Sequence, residues 1–263
     1  MYRKYVPFLL FLFFLYGCNG NKQEEKEDVS VFVDLPQLKA EGEITAVTLY
    51  SSTSYFQYKM QPMGYEYDLI NDFAKSQGLK LNIKVAENPA RLIEMLEAGE
   101  ADVVAYPIPI NNKLKQEVIY CGREDISSQV LIQRANKGDK LLTDVTQLID
   151  KNVYVKPNTK YSERLKNLDE ELGGGIHIQK VENDSIATED LIEMVSLGEI
   201  PYTISDDNTA RLNKTYYWNI NVDLKVSFPQ RSSWVVRKSS PDLAKAIDEW
   251  ACLLYTSDAA DEP

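Results

Sequence analysis

The same helix-and-strand pattern occurs twice in this chain. Residues 93–100 (IEMLEAGE) precede the short run 101–105, and residues 192–199 (IEMVSLGE) precede a second run, 200–204. In each copy the apolar residues have helical spacing, a glycine stands where a helix C-cap is expected, and a strand-like run follows. The repeat predicts two similar α/β lobes, with chance similarity of two ordinary helix ends as the alternative. A cleft between lobes is a common place for a small-molecule site.

The segments before the first repeat alternate between strand and helix patterns. Residues 43–50 and 80–85 alternate as strands do, and residues 65–77 have the spacing of an amphipathic helix. With the first repeat copy this gives the order βαβαβ, which predicts a mostly parallel sheet flanked by helices. Ligands bind beyond the carboxyl ends of strands in such sheets, so the loops 50–55 and 106–111 are candidate site loops.

A second series of the same kind follows, and two crossings connect the lobes. Residues 129–134 form a strand that leads out of the first lobe, and residues 225–228 and 233–236 return to it. Two crossings predict a two-strand hinge, as in domains that close around a ligand. We assign residues 35–130 and 228–251 to lobe 1 and residues 131–227 to lobe 2. The remaining predicted elements are helices at 145–149, 161–168 and 242–250 and strands at 152–155 and 176–181.

The first residues have the pattern of an export signal. Arg3 and Lys4 precede an apolar stretch that is shorter than the about 20 residues of a membrane span. The stretch ends in LYGC, which resembles the lipobox of bacterial lipoproteins and implies cleavage before Cys18 and lipidation of that cysteine. An uncleaved anchor is the alternative. Residues 1–17 are thus a predicted signal peptide, and the polar, acidic residues 18–34 a predicted flexible tether.

Two features of the predicted tether indicate which membrane carries the anchor. Asn19 after the cysteine resembles the outer-membrane sorting signal of enteric bacteria, whereas the acidic run 24–28 resembles a surface-export signal of Bacteroidetes lipoproteins. We expect a lipid-anchored protein of the cell envelope, on the outer membrane and facing the periplasm, with exposure at the cell surface as the alternative. The lipid would be its only contact with a membrane.

The carboxyl end departs from the pattern of the rest of the chain. Residues 252–262 (CLLYTSDAADE) match, residue for residue, a translation of transposase-adapter DNA used in sequencing libraries. We therefore expect residues 252–263 to be a non-native tail and the natural gene to continue beyond Ala251.

Composition and charge exclude several functions. The net charge of −11 argues against nucleic acid as a partner. His177 is the only histidine, so neither a serine or cysteine triad nor a two-histidine metal site can be assembled. Cys121 is left without a partner inside the core and is expected to be a buried thiol. The sequence predicts no metal and no cofactor.

Four short motifs have the pattern of a known family. They are residues 64–69 (GYEYDL), 99–104 (GEADVV), 151–155 (KNVYV) and 234–238 (WVVRK). These motifs resemble family 3 of the periplasmic solute-binding proteins, and the resemblance covers the chain from about residue 35 to residue 250. It implies a two-lobed periplasmic-binding-protein-like fold of type II, in which a small molecule binds between the lobes.

Three further motifs are residues 38–44 (LKAEGEI), 191–193 (LIE) and 202–206 (YTISD). They resemble the amino-terminal module of the membrane-bound lytic murein transglycosylase F family. In that family a solute-binding module precedes a domain that cuts peptidoglycan. The resemblance implies a ligand-sensing half whose ligand is a muropeptide or stem peptide. The Glu-Ser and Gly-Leu-Met-Gln motifs of the catalytic domain do not occur here, so no catalytic residue is predicted in this chain.

Two other functions remain open from the sequence. One is a stand-alone receptor that delivers an amino acid or small peptide to an ABC importer. The other is a structural lipoprotein that binds nothing.

The resemblance implies one candidate ligand contact and puts another in doubt. Asp206 matches the aspartate that receives a ligand ammonium, although it could instead cap the next helix. Leu114 occupies the position of the arginine that holds a ligand carboxylate, and only Lys113 and Lys115 flank it. A lysine does not reproduce the two-pronged guanidinium contact.

The remaining candidates are aromatic or precede a helix. Thr159 stands before a helix whose N–H groups attract anions, or it is simply the helix cap. The tyrosines could stack on or hydrogen-bond a peptide or sugar, with ordinary packing as the alternative. They are Tyr50, Tyr55, Tyr106 and Tyr161.

Overall fold

The structure, a computed structural model, describes residues 33–183 and 186–258. The predicted signal peptide, Cys18, nearly all of the predicted tether and residues 259–263 of the predicted tail lie outside these ranges. Within the described ranges, no helix has the length and apolar character needed to cross a membrane.

Helices and strands alternate along the described chain, with 3₁₀ turns at Leu114–Gln116 and Val145–Leu148. The order is α1 (Leu35–Glu41), β1 (Glu43–Leu49), β2 (Phe56–Tyr58), β3 (Gln61–Met63), α2 (Tyr65–Ser76), β4 (Lys80–Ala86), α3 (Pro89–Glu97), β5 (Val103–Pro109), β6 (Val118–Ser127), β7 (Gln129–Arg134), β8 (Asn152–Val155), α4 (Lys160–Glu171), β9 (His177–Lys180), α5 (Thr188–Leu197), β10 (Tyr202–Asp206), α6 (Asp207–Tyr216), β11 (Ile220–Asn221), β12 (Gln230–Arg237) and α7 (Pro241–Asp258).

The strands form two five-stranded sheets and one small hairpin. The sheet orders are β4-β1-β5-β12-β6 in lobe 1 and β9-β8-β10-β7-β11 in lobe 2. In each sheet the fourth strand, β12 or β7, is antiparallel to both neighbours, whereas the first three strands are parallel. The prediction of two mostly parallel sheets is confirmed. The strands of the sequence repeat, β5 and β10, occupy the same third place, so the repeat in sequence corresponds to a repeat in structure.

The two crossings between the sheets run side by side. Strand β6 ends at Ser127 beside Gln230 of β12, and Val130 of β7 forms a bridge with Lys225. The segment 129–134, predicted to lead out of lobe 1, pairs along its whole length with β10 of lobe 2. Lobe 1 therefore ends before Gln129 rather than after Val130.

Three predicted elements differ from the structure. Residues 225–228 form only the bridge at Lys225, since Pro229 follows and has no N–H to continue a ladder. The segment predicted as a helix at 145–149 is a 3₁₀ turn, which suits so short a run. Helix α7 continues past Trp250 to Asp258, because no glycine or proline interrupts that stretch.

The predicted tether also ends earlier than residue 34. The buried Asp34 is the N-cap of α1 and forms a capping box. Its side chain accepts a hydrogen bond from the backbone of the first turn, and the side chain of Gln37 accepts one from the backbone N–H of Asp34. Ser240 Oγ donates to the carbonyl oxygen of Val33 at 2.7 Å. The chain is therefore bound to lobe 1 from Val33 onward.

Apolar side chains fill the space between helices and sheets. In lobe 1, Phe73 of α2 and Trp234 of β12 both pack against Trp250 of α7, with ring centroids 5.7 and 6.3 Å away. Helix α3 covers the opposite face of the same sheet through Leu92 and Leu96. In lobe 2, α4 covers one face and α5 and α6 the other.

Candidate functional site

The carboxyl ends of the central strands of the two lobes meet at one place. Ser52, in the loop after β1, donates hydrogen bonds from its N–H and Oγ to Glu189 Oε1 of lobe 2, over 3.4 and 3.3 Å. Tyr106 lies in the middle of β5, and Asp206 is the last residue of β10. Burial, and then the negative charges of Asp206 and Glu189, raise the pKa of Tyr106 above its ordinary value of 10.0. The candidate site is this contact between the lobes.

The segment 64–69 holds in place the lobe 1 loop that contains Ser52. The first N–H groups of α2 donate to the carbonyl oxygens of Thr53 and Ser54, so the loop caps the helix with its own backbone. Gly64 has a φ of 134°, and a Cβ at this position would lie 2.3 Å from Ser54 O. Only glycine therefore allows the loop to approach α2 so closely.

In lobe 2, two side chains of α4 hold Asp206. Tyr161 Oη donates to Asp206 Oδ2 at 3.0 Å, and Lys160 Nζ lies 2.5 Å from the same oxygen. Asp206 also stands at the N-cap of α6, but its side chain forms no capping hydrogen bond. Its carboxylate is thus directed to α4 rather than used as a helix cap.

Thr159 has the structural role of a helix cap. Its Oγ1 accepts from Ser162 N at 3.3 Å and donates to the carbonyl oxygen of Lys156 at 2.8 Å. The cap fixes the start of α4, and so the positions of the next two residues, Lys160 and Tyr161. Thr159 is therefore a positioning residue for the Asp206 contacts.

Two tyrosines at the site are held as neutral phenols. Burial, and then the charge of Asp206, raise the pKa of Tyr161 well above 10.0, and the pKa of Tyr106 is raised by the same causes. Both hydroxyl groups therefore keep their protons at physiological pH. A neutral phenol can donate one hydrogen bond and offers an aromatic face to a ligand.

Lobe 1 also contains a buried carboxylate, that of Glu66, whose charge acts on the candidate site. Trp234 Nε1 donates to Glu66 Oε2 at 2.6 Å. Burial raises the pKa of Glu66 from 4.5 to about 7, although the indole hydrogen bond lowers it. Its charge also contributes to the raised pKa of Tyr106. A cavity of about 20 Å³, near the size of one water molecule, adjoins Glu66.

The other predicted site residues lie apart from these contacts. Tyr50 is 60% exposed beside the loop, and Tyr55 is buried with its ring edge-on to Tyr67 at 5.7 Å. Lys113 and Lys115 are exposed at the 3₁₀ turn after β5. The structure therefore groups Tyr106, Tyr161 and Asp206, together with Lys160, Ser52 and Glu189, which the sequence did not indicate.

A larger hollow of about 350 Å³ lies elsewhere on lobe 2. Its lining includes Arg134, Asp139 and Tyr202, and it contains none of the groups that meet between the lobes. Arg134 and Asp139 form an ion pair with each other there. The charges of these two residues are thus balanced within the hollow, and the contact between the lobes remains the candidate site.

Two α/β lobes, a double crossing and a polar site between strand ends define a two-lobed solute-binding protein. Residues 44–261 match the family described as bacterial extracellular solute-binding proteins, family 3, and the chain belongs to that family.

Relatives by sequence include proteins named membrane-bound lytic murein transglycosylase F. The one from Desulfosudis oleivorans is 31% identical over 218 residues, which are 81% of this chain and 46% of the relative. The one from Ectopseudomonas mendocina is 28% identical over 233 residues, or 88% of this chain and 45% of the relative. The chain thus spans about half the length of these relatives, corresponding to their N-terminal region.

Similar solved structures include ArgBP from T. maritima. A mutant of ArgBP has a TM-score of 0.73 and 20% sequence identity, covering 86% of this chain and 95% of ArgBP. Its truncated, arginine-bound form has a TM-score of 0.71 and 21% identity, covering 83% and 99%. At this level of identity the similarity establishes the two-lobed fold.

Proposed function

We propose that this chain is the ligand-sensing module of a peptidoglycan lytic transglycosylase and that its ligand is a muropeptide or stem peptide. The observation that carries the proposal is the similarity to the N-terminal region of relatives named transglycosylase F, over 81% of this chain. A solute-binding module that precedes a catalytic domain is suited to report a small molecule to that domain.

The proposed binding mode uses the groups that meet between the lobes. Opening at the double crossing would separate Tyr106 of lobe 1 from Tyr161 and Asp206 of lobe 2, and a peptide would then lie between them. Both phenols provide flat faces, and the hydroxyl of Tyr106 provides a hydrogen-bond donor, whereas that of Tyr161 already donates to Asp206. Such groups suit amide and sugar ligands. The ligand shifts the balance of open and closed forms only by its differential affinity for the two.

We also propose that the module is anchored in the cell envelope through a lipid on Cys18 and faces the periplasm from the outer membrane. The family, whose members are extracellular solute-binding proteins, supports a location in the envelope. Mass spectrometry of the protein purified from membranes tests the anchor, since acylation adds the mass of the lipid to the cysteine. Recovery of unmodified Cys18 would contradict it.

Ligand binding is tested with the full chain by calorimetry and thermal melting. We expect a stem peptide to raise the melting temperature, because a ligand at 100 times its Kd adds about 2.7 kcal/mol to the free energy of unfolding. Tyr106→Ala should weaken this binding at least about tenfold, whereas Tyr216→Ala, on a residue that is 72% exposed, should leave it unchanged. Equal weakening by both would show that the ligand does not use the strand-end site.

The second candidate function is an amino-acid receptor of an importer. Asp206 at the end of β10 favours it, since a ligand amine that displaced Lys160 would gain a partly buried carboxylate as its partner. A panel of free amino acids in the same assay distinguishes the two functions. Tight binding of one amino acid, with no binding of the stem peptide, would favour the receptor.

The proposed catalytic partner domain is tested on the gene. A long sequencing read across codon 251 should continue in frame into a domain with a Glu-Ser motif. A stop within a few codons would instead favour the receptor.

A further inference from the structure

The ammonium group of Lys160 already lies among the groups that a ligand ammonium would need. Its Nζ lies 2.5 Å from Asp206 Oδ2 and 5.5 Å from the centroid of the Tyr161 ring. The side chains of Lys160 and Asp206 are only 19% and 18% exposed. Tyr161 Oη donates to the same carboxylate oxygen at 3.0 Å. A carboxylate, an aromatic face and a hydroxyl are the groups with which proteins bind ammonium ions.

The position of Lys160 makes this occupation persistent. It is the first residue of α4, and the Thr159 cap fixes the start of that helix. An ammonium attached to the chain acts at an effective concentration of roughly millimolar or more. A free amine at micromolar concentration would therefore have to displace a group that is always present, and partial burial makes the displaced ion pair stronger than one at the surface.

The charge at this subsite is balanced before any ligand arrives. A second ammonium there would leave Lys160 without its partner in a partly buried place, which costs free energy. An amide nitrogen carries no charge and can approach without breaking the pair. The subsite therefore discriminates between a free amine and an acylated one.

We propose that Lys160 is a built-in occupant of the ammonium subsite and that the cleft binds ligands whose nitrogen at Asp206 is acylated. This inference rests on the proposed function, in that the cleft must bind a solute. The ligand class is an N-acyl amino acid or N-acyl peptide, and Lys160 is its specificity-determining residue.

The first test needs no ligand. The full chain is treated with a limiting amine-acetylating reagent, and the rate at each lysine is followed by mass spectrometry. Lys160 should react at least about tenfold more slowly than Lys166, which pairs with Glu170 on the same helix but is 73% exposed. Asp206→Asn should raise the Lys160 rate to within about threefold of the Lys166 rate.

Two results of this test would overturn the proposal. One is equal reactivity of Lys160 and Lys166 in the wild type. The other is a Lys160 that stays slow in Asp206→Asn, since its protection would then come from burial and not from the carboxylate.

The second test compares two probes that differ only in the amine. Calorimetry with L-alanyl-D-glutamate and its N-acetyl derivative should show the acetylated peptide binding at least about tenfold more tightly to the wild type. Lys160→Met should shift the ratio of the two Kd values at least about tenfold toward the free amine. Lys166→Met is the matched control and should leave the ratio unchanged.

The outcomes separate this inference from the proposed function. Tight binding of the free amine to the wild type, with a ratio unaffected by Lys160→Met, would overturn the role of Lys160 while leaving solute binding intact. If neither peptide binds any variant, the stem-peptide ligand is wrong, and the lysine reactivities decide whether Lys160 fills the subsite.

Discussion

At the scale of single residues, Glu66 shows how a family signature can place a titratable group inside a core. It is the third residue of the GYEYDL segment, it is 5% exposed, and its hydrogen bond to Trp234 joins α2 to β12. A carboxylate in such a place is disfavoured as an ion, and its pKa rises to about 7 chiefly because of burial.

The raised pKa of Glu66 predicts a pH dependence of stability. The native state holds this proton more tightly than the unfolded chain, so the contribution is fully present below pH 4.5 and is lost as the pH rises through about 7. Glu66→Gln keeps an acceptor for Trp234 without a charge. Its stability relative to the wild type should therefore increase between these pH values, by on the order of 3 kcal/mol.

Urea unfolding at several pH values measures this difference for Glu66→Gln. Glu97→Gln, at an exposed position at the end of α3, is the control and should show no such trend. A constant difference between Glu66→Gln and the wild type from pH 4.5 to 8 would mean that Glu66 titrates at its ordinary pKa.

At the scale of helices, Asp34 joins the start of the described chain to its last helix. Its carboxylate accepts from Leu35 N of α1 at 2.8 Å and from Asp242 N and Leu243 N of α7 at 3.0 and 2.8 Å. One buried side chain therefore satisfies the first N–H groups of two helices that are distant in sequence.

Loss of the Asp34 carboxylate should destabilise lobe 1 markedly. Asp34→Ala removes a helix cap and leaves a buried N–H without its acceptor, so we expect the free energy of unfolding to fall by about 3 kcal/mol. Glu41→Ala, at the exposed end of the same helix, is the control. Urea unfolding within about 0.5 kcal/mol of the wild type for Asp34→Ala would show that the N–H groups find other partners.

Helices and strands were predictable where the apolar pattern is local. Strand β8 occurs where it was predicted, at Asn152–Val155, and α2 differs from its predicted end by one residue. Strand β6 was missed because its second half, residues 122–127 (GREDIS), is polar and largely exposed, and only its pairing with β12 makes it a strand. Tertiary pairing overrides weak local preference in such places.

The residues of the candidate site could be picked out from the sequence only in part, for the same reason. Asp206 and Tyr161 belong to motifs or to a helix start, which a sequence shows directly. The Lys160 contact depends on how α4 lies against β10, and the Ser52–Glu189 contact depends on how the lobes meet. Neither spacing is local, so no pattern along the chain indicates it.

At the scale of the whole molecule, the contact between Ser52 and Glu189 links the lobes in addition to the two covalent crossings. Glu189 lies in the first turn of α5, and burial is the main cause of its raised pKa, which the Ser52 hydrogen bonds only partly offset. We expect closure of the lobes to desolvate this carboxylate, because its partner Ser52 belongs to the other lobe. The cost of desolvating the charge of Glu189 should favour the open form by more than its hydrogen bonds to Ser52 favour the closed form.

Glu189→Gln should accordingly favour the closed form. The amide oxygen can still accept from Ser52, but it carries no charge to desolvate. We expect the closed state to bind the Glu189 proton more tightly than the open state, so lowering the pH through the raised pKa should act in the same direction. Fluorescence transfer between labels on the two lobes should be higher for Glu189→Gln than for the wild type at pH 7. Glu193→Gln, exposed on the same helix, should match the wild type. A more open Glu189→Gln would mean that the carboxylate hydrogen bonds outweigh its desolvation, and that the charge of Glu189 holds the lobes together.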